Sequence, residues 1–194
     1  MSEETPAGDS ISPERRIIEV RVAGLRQLFH SMDPSPFRER DLDPGAEAFI
    51  VGWSRELPRD APLALLVHLD HPAGPADEAA VVRDGIHQFF ADRSLESRRR
   101  LRLLLRLGRT SLLIGLAFLG ASLVTSELLG KWTTLGGIAI LRESLLIGGW
   151  VAMWRPLEIF LYDWWPIRSE ARLFDRLATM PVGIRYASTS QAGS

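Results

Sequence analysis

Cysteine is absent from this sequence of 194 residues. The absence excludes disulfide bonds, thiolate chemistry and zinc or iron–sulfur sites held by cysteine. Lysine is nearly absent as well, because Lys131 is the single lysine among 23 basic residues. The sequence also lacks G-x-G-x-x-G, G-x-x-x-x-G-K-[ST] and G-x-S-x-G stretches. Nucleotide binding and serine hydrolysis therefore have no support in the sequence, and we expect no cofactor.

The charge that is present is unevenly distributed. Residues 1–97 contain 10 Arg against 18 Asp and Glu, a net charge of −8, whereas residues 98–131 carry +6 and residues 132–194 carry +1. The chain thus has an acidic N-terminal part (residues 1–97), which we call the head. A basic part (98–131) and an apolar C-terminal part (132–194) follow it. The N-terminal stretch MSEETPAGDSISPE is acidic and polar, unlike a signal or transit peptide, so we expect residues 1–97 to lie in the cytoplasm.

The longest uncharged stretch is TSLLIGLAFLGASLVTS, residues 110–126. A helix of about 20 residues spans roughly 30 Å of hydrocarbon, so the stretch predicts a first membrane span over about residues 110–129. The alternative is a core helix of a soluble protein, but such helices rarely run this long without a charge. Four small residues suit close packing on another helix: Gly115, Gly120, Ala121 and Ser122.

The stretch RRRLRLLLRLGR, residues 98–109, precedes this span with six arginines, and four of them recur at helical spacing. Their spacing of 3, 4 and 3 residues places Arg99, Arg102, Arg106 and Arg109 on one helical face. We expect a basic amphipathic helix over residues 98–109 whose arginines contact lipid headgroups of the cytoplasmic leaflet. The positive-inside rule alone explains this charge, and specific recognition of an anionic lipid is the sharper alternative. Nucleic-acid binding is not expected, because no aromatic residues interleave with the arginines.

A second apolar stretch, residues 141–168, carries five charged residues before its terminal Arg168, and they are Arg142, Glu143, Arg155, Glu158 and Asp163. In one register residues 132–154 cross the membrane, with Arg142 and Glu143 near its middle. In the other, residues 142–163 cross, and Trp164 and Trp165 lie at the cytoplasmic interface, where indole rings are favoured. We prefer the second register, because a charge costs less near an interface than at mid-depth.

The charges of the second span have candidate partners. Arg155 and Glu158 are three residues apart and can pair on one helical face. Arg142 is predicted at the depth of Glu127 of the first span and can bridge the two helices. Pro156 predicts a kink at residues 152–155. Pairing between subunits and a polar pathway for ions are the alternatives left open for these residues.

The head reads as a small α/β domain. RRIIEVRV alternates like a half-buried strand, Asp43 followed by Pro44 predicts a helix start, and APLALLVHLD has the length of a buried strand. The predicted order is β-α-α-β-α. Two strands make too small a sheet to be stable alone. Another copy of the chain, the C-terminal segment or a partner is expected to complete it.

Together these patterns predict an α+β membrane protein. A small cytoplasmic β-α-α-β-α head is joined by a long helix to a two-helix transmembrane hairpin, which a C-terminal amphipathic helix follows. The predicted segments are a disordered N-terminus (1–14), the head (15–97), the basic juxtamembrane helix (98–109), the hairpin (110–165), the cytoplasmic amphipathic helix (166–181) and a disordered tail (182–194).

One stretch, HLDHP, resembles a metal site, since it offers His68, Asp70 and His71, with His30 and His87 as possible further ligands. Three such groups can hold a catalytic zinc ion. On a strand, however, His68 and Asp70 share a face while His71 points away. The simpler interpretation is a turn at a strand end, and the metal site is the alternative.

Two stretches, DPSPFRERDLDPGAEAFIVGW and RPLEIFLYDWWPIRSEARLFDRLA, resemble a family of uncharacterised bacterial inner-membrane proteins with an N-terminal cytoplasmic part and two spans. The resemblance covers most of residues 15–178. It implies a bacterial source and a two-span topology. It carries over no catalytic residue.

The sequence therefore predicts a multi-pass protein of the bacterial inner membrane with both termini in the cytoplasm. We expect a self-associating membrane-anchored scaffold or regulatory subunit, not an enzyme, whose acidic head meets a cytosolic protein partner. The alternatives are a membrane-anchored metal-dependent enzyme using His68, Asp70 and His71, and a small oligomeric channel.

Overall fold

The chain is mostly helical and contains one small sheet. A computed structural model describes residues 7–29, 41–70, 78–132 and 136–186. The chain divides into two compact units. The α/β unit comprises Met1–Leu95 and Arg172–Ser194, and the hairpin unit comprises Glu96–Ala171. In sequence, the hairpin unit is therefore an insertion between two segments of the α/β unit.

Four strands and five α-helices make up the described residues. The strands are β1 (Ala7–Gly8), β2 (Arg16–Val22), β3 (Leu63–Leu69) and β4 (Val182–Tyr186). The helices are α1 (Leu25–Leu28), α2 (Pro44–Glu56), α3 (Glu78–Trp132), α4 (Gly136–Glu158) and α5 (Trp164–Ala178), and a π-helical turn, Ile159–Asp163, joins α4 to α5.

The sheet has the strand order β1-β4-β3-β2. Strands β2, β3 and β4 are parallel, and the short β1 pairs antiparallel to β4. The predicted order β-α-α-β-α is present as β2-α1-α2-β3-α3. The start of α2 is also as predicted, because the Asp43 side chain accepts hydrogen bonds from the amides of Gly45 and Ala46 with Pro44 in the first turn.

The C-terminal segment requires a correction, because residues 182–186, expected in a disordered tail, form strand β4. The short stretch VGIRY follows a polar-looking helix and carries little apolar signal by itself. Its burial comes from pairing with β3 and from side chains that α5 and α3 bring to it. Val182 and Ile184 are buried, and the Met180 carbonyl lies 2.7 Å from His87 Nε2 on α3. Of the three candidates for completing the sheet, the C-terminal segment is the one observed.

The core of the α/β unit lies against one face of the sheet. Phe90 of α3 stacks on Phe174 of α5, with ring centroids 6.2 Å apart. The alternate strand residues on this face are buried, and they comprise Ile18, Val20, Leu63, Leu65, Val67, Leu69, Val182 and Ile184. On the opposite face, Ala64 and Leu66 of β3 are also buried, whereas Ile17, Glu19, Arg21 and Arg185 on the neighbouring strands are exposed.

Small residues line the contact between the two long helices of the hairpin unit. Two glycines at this contact lie very close to the opposite helix. A β-carbon at Gly115 would lie 3.0 Å from the Ala152 carbonyl oxygen, and one at Gly149 would lie 2.7 Å from Leu119 Cδ1. Ser122 and Ser126 are buried on the same face of α3. These residues let the two backbones approach closely.

The second long helix departs from α-helical geometry just after Pro156. A proline provides no amide for the carbonyl four residues earlier, which here belongs to Ala152. The chain stays helical through Pro156 and adopts the π-helical turn over Ile159–Asp163. The kink predicted at residues 152–155 stays a prediction, whereas the departure from α-helical geometry is observed over Ile159–Asp163.

Two helical stretches are long and apolar enough to cross a membrane, Ala79–Leu128 and Glu143–Ala178. Only 17% of the apolar window in each is buried. The exposed side chains of this part are large and apolar, and they include Leu113, Ile114, Leu116, Phe118, Ile147, Trp150, Val151 and Trp154. A core helix of a soluble protein would instead bury most of such a window.

The helix contact predicts a specific disulfide in a chain that has no natural cysteine. A β-carbon at Gly149 would lie 3.7 Å from Leu119 Cβ, close to the separation of about 3.8 Å found in disulfides, and 3.4 Å from Leu119 Cα, so that forming the bond requires a small shift of the two helices. We expect Leu119→Cys with Gly149→Cys to form an intramolecular disulfide under mild oxidation, because the substitution also removes the Leu119 methyl group nearest to Gly149. Mass spectrometry of the oxidised protein measures the loss of two hydrogens.

The matched control is Leu116→Cys with Gly149→Cys. Leu116 is 56% exposed and lies on the outer surface of the same helix. Equal yields from the two pairs, or no disulfide in the first, would contradict the helix register.

Candidate functional site

An open groove in the hairpin unit combines basic and apolar side chains. Its volume is about 270 Å³, and it is lined by Arg102, Leu105, Arg106, Arg109 and Phe160. Helix α3 contributes the first four residues, and the π-helical turn contributes Phe160. Three of the four arginines predicted to meet lipid headgroups thus share one concave surface.

The helical repeat and one glycine create this groove. Arg102 and Arg109 are seven residues apart, so their backbones are about 10 Å apart along one face of α3. Gly108 lets the π-helical turn approach, since a β-carbon there would lie 2.9 Å from Ile159 Cγ2 and 3.3 Å from Phe160 Cζ. The Trp164 indole donates a 2.7 Å hydrogen bond to the Phe160 carbonyl oxygen. Phe160 is therefore held at the edge of the row of arginines.

The groove suits an anion with an apolar portion. The guanidinium groups of Arg102, Arg106 and Arg109 form no ion pair with any carboxylate in the described part of the chain. Guanidinium groups offer forked donors that match phosphate and carboxylate oxygens. Leu105 and Phe160 supply an apolar wall beside them. A phosphate ester that carries a hydrocarbon chain fits both features.

Arg99, the fourth predicted headgroup residue, is exposed and does not line the groove. Its neighbour Arg100 donates a 2.6 Å hydrogen bond to Glu96 and is thereby held away from a ligand. The prediction from sequence missed Phe160, because helical spacing relates residues within one helix and gives no information on which residue of another helix lies opposite.

Arg155 forms an ion-pair cluster near the π-helical turn. Its Nη1 donates to Glu158 Oε2 at 2.8 Å, the pair expected from their spacing, and lies 3.7 Å from Asp163 Oδ2. Asp163 was not predicted as a partner, since residues eight positions apart in a regular helix are separated by about 12 Å along the axis. The long arginine side chain and the altered turn bring the two groups together. The cluster carries one positive and two negative groups.

The second predicted intramembrane pair, Glu127 with Arg142, is not tested. Glu127 is exposed on α3. The Arg142 side chain lies outside the described residues, so the bridge stays a prediction.

The metal hypothesis gains no support within the described residues, where no group of three His, Asp or Glu side chains could hold a metal ion. His71 and His30 lie outside the described residues. His68 Nε2 is buried and has no hydrogen-bond partner in that part of the chain, although Glu19 Oε2 lies 3.4 Å away. Asp70 is exposed at the end of β3, and His87 already contacts the Met180 carbonyl oxygen.

The two described histidines are expected to respond oppositely to replacement. We expect His68→Leu to leave the free energy of unfolding unchanged or to raise it by up to about 1 kcal/mol, because leucine removes a buried nitrogen without a partner. We expect His87→Leu to lower the free energy of unfolding by about 1–3 kcal/mol, because the Met180 carbonyl loses its donor. Hydrogen exchange of the β3 amides, in the full chain in mild detergent, measures both effects. A bound metal that disappears with His68→Leu, detected by elemental analysis, would instead favour the metal-site hypothesis.

Comparisons of the chain with family models, with curated proteins and with solved structures give no match. The resemblance to bacterial two-span inner-membrane proteins therefore stays a prediction, and the function is inferred from the residues of this chain.

Proposed function

We propose that the chain is a multi-pass protein of the bacterial inner membrane, anchored by α3 and α4, with both termini in the cytoplasm. In this proposal it is a self-associating scaffold or regulatory subunit that presents its acidic α/β unit to a cytosolic protein. It holds an anionic phospholipid in the arginine groove. The observation that carries the proposal is the surface of the hairpin unit, on which the usual distribution of polar and apolar residues is reversed.

The hairpin unit buries small and polar residues and exposes large apolar ones. Gly115, Gly149 and Ser122 are buried between the helices, whereas Trp150 and Trp154 are 72% and 70% exposed. In water such a surface favours aggregation. In lipid it is the expected arrangement, because close packing of small residues drives helix association and large apolar side chains face the acyl chains.

The orientation follows from the basic residues beside the first span. Residues 98–109 contain six arginines and no acidic residue. Cytoplasmic loops near a span are enriched in Arg and Lys, so this segment favours the cytoplasmic side. Its arginine groove would then lie at the level of the inner-leaflet headgroups, where anionic lipids concentrate.

A small oligomeric channel is the second candidate. The cluster of Arg155, Glu158 and Asp163 favours it, because ionisable side chains on a predicted span are a feature of ion pathways. The exposed position of Arg155 and Glu158 is equally compatible with contacts between subunits.

Topology is testable with single cysteines, because the chain has none of its own. In cells with a permeabilised outer membrane, we expect Lys131→Cys, between the two spans, to react with a membrane-impermeant maleimide. We expect Ser12→Cys, at an exposed site in the α/β unit, to react only after the inner membrane is opened. The reverse pattern would overturn the orientation. Recovery of the chain in the soluble fraction would overturn the membrane proposal itself.

Lipid binding is testable with two arginine variants of equal charge. We expect Arg106→Gln, inside the groove, to retain about tenfold less phosphatidylglycerol than Arg99→Gln, outside it, because a charged hydrogen bond contributes about 1.5–3 kcal/mol. Native mass spectrometry of the full chain, exchanged into detergent with phosphatidylglycerol or phosphatidylcholine, measures the retained lipid. Equal loss in both variants would mean that general basic charge, not the groove, attracts the lipid. Displacement of the lipid by millimolar inorganic phosphate would identify a site for free phosphate.

A further inference from the structure

Strand β2 is one of the two edge strands of the sheet within the described residues, and the other, β1, has only two residues. The directions of its backbone groups are known from its bonds to β3. The Arg16 amide donates to the Pro62 carbonyl oxygen at 2.8 Å, and the Val22 carbonyl accepts from the Asp70 amide at 3.3 Å. In a parallel pair, alternate residues bond to the neighbouring strand. The even-numbered residues of β2 therefore face β3, and the backbone groups of Ile17, Glu19 and Arg21 point to the open edge.

This edge has a defined end and two opposite charges. The Ala23 amide donates a 2.9 Å hydrogen bond to Gln27 Oε1, so the open edge ends before Ala23. Glu19 and Arg21 therefore lie in the middle of the open edge. Both side chains are exposed on the face of the sheet opposite the core. Edge strands tend to add a further strand unless they are protected.

We infer that a second copy of this chain pairs with the β2 edge, antiparallel, with Glu19 opposite Arg21 of the other copy. In this register both residues have outward backbone groups, so each pair exchanges two N–H···O bonds. Because the two copies are related by two-fold symmetry, the pair of Glu19 with Arg21 forms twice. The two faces that carry Glu19 and Arg21, and the two faces that pack on the cores, then continue across the interface, since directly opposite residues lie on the same face.

Charge selects this register over its neighbours. If the other copy were shifted by two residues in one direction, Glu19 would lie opposite Glu19 of that copy. A shift of two residues in the other direction would place Arg21 opposite Arg21. Like charges directly opposite each other destabilise a strand pair, and opposite charges stabilise it. The edge is therefore self-complementary in a single register, which a partner of unrelated sequence would match only by chance.

This inference rests on the self-association part of the proposed function and names its interface. The test is the dimer dissociation constant of the full chain in mild detergent, from sedimentation and native mass spectrometry across protein concentration. We expect Glu19→Arg and Arg21→Glu, each alone, to weaken the dimer by about tenfold or more, because both symmetric pairs become repulsive. The double variant Glu19→Arg with Arg21→Glu is expected to restore the dimer. Arg185→Glu is the matched control, since Arg185 is exposed on the same face of β4, away from the edge.

A second variant tests the backbone contribution. We expect Arg21→Pro to abolish the dimer while the α/β unit stays folded, because the lost amide faces outward and is not part of the β2–β3 ladder. A dimer that no β2 variant weakens beyond the Arg185→Glu control would overturn the interface and leave self-association standing. An unaltered chain that is monomeric at every concentration would overturn both.

Discussion

The hairpin unit depends on the close approach of two helix backbones. Gly115 of α3 lies against the carbonyl of Ala152, and Pro156 provides no amide to that carbonyl. A side chain at Gly115 would separate the helices at the point where the second one is already interrupted. Two more glycines make similarly close contacts. Gly108 lies two helical turns before Gly115 on α3, and Gly149 lies about one turn before Ala152 on α4. Apolar side chains have no preference for each other over lipid chains, so in a membrane such shape matching is the main source of helix association.

This approach decides where the polar groups of the hairpin unit lie. Because Gly108 has no side chain, the π-helical turn contacts α3 and brings Phe160 beside Arg102, Arg106 and Arg109. The same turn brings Asp163 within 3.7 Å of Arg155, which already pairs with Glu158. Three of the ionisable residues of this apolar stretch, Arg155, Glu158 and Asp163, thus lie around one irregular turn. π-helical turns are rare in proteins and often occur at functional sites.

The α/β unit is closed by both ends of the described chain. The Asp9 amide donates to the Val182 carbonyl oxygen, the Val182 amide donates to Asp9 Oδ2, and Arg83 of α3 donates to Asp9 Oδ1. Arg176 of α5 donates to the Ala61 carbonyl oxygen in the turn before β3. The segments before and after the hairpin unit therefore fold as one domain. The same closure covers β4 with the two-residue strand β1 and leaves β2 as the long edge strand among the described residues.

Local sequence determined the features that depend on neighbours along the chain. Asp43 and Pro44 begin a helix through local hydrogen bonding. Residues 110–126 are uncharged and apolar wherever they lie. Arg155 reaches Glu158 because about one helical turn separates them. Tertiary structure decided what depends on contacts between distant segments. Strand β4 is short and depends on contacts with β3, α3 and α5. Its sequence alone therefore does not distinguish it from a disordered C-terminal segment. Phe160 joins the arginines only because Gly108 lies opposite it, and Asp163 reaches Arg155 only through an altered turn. Periodicity describes one helix at a time, whereas the groove is a property of two helices packed together.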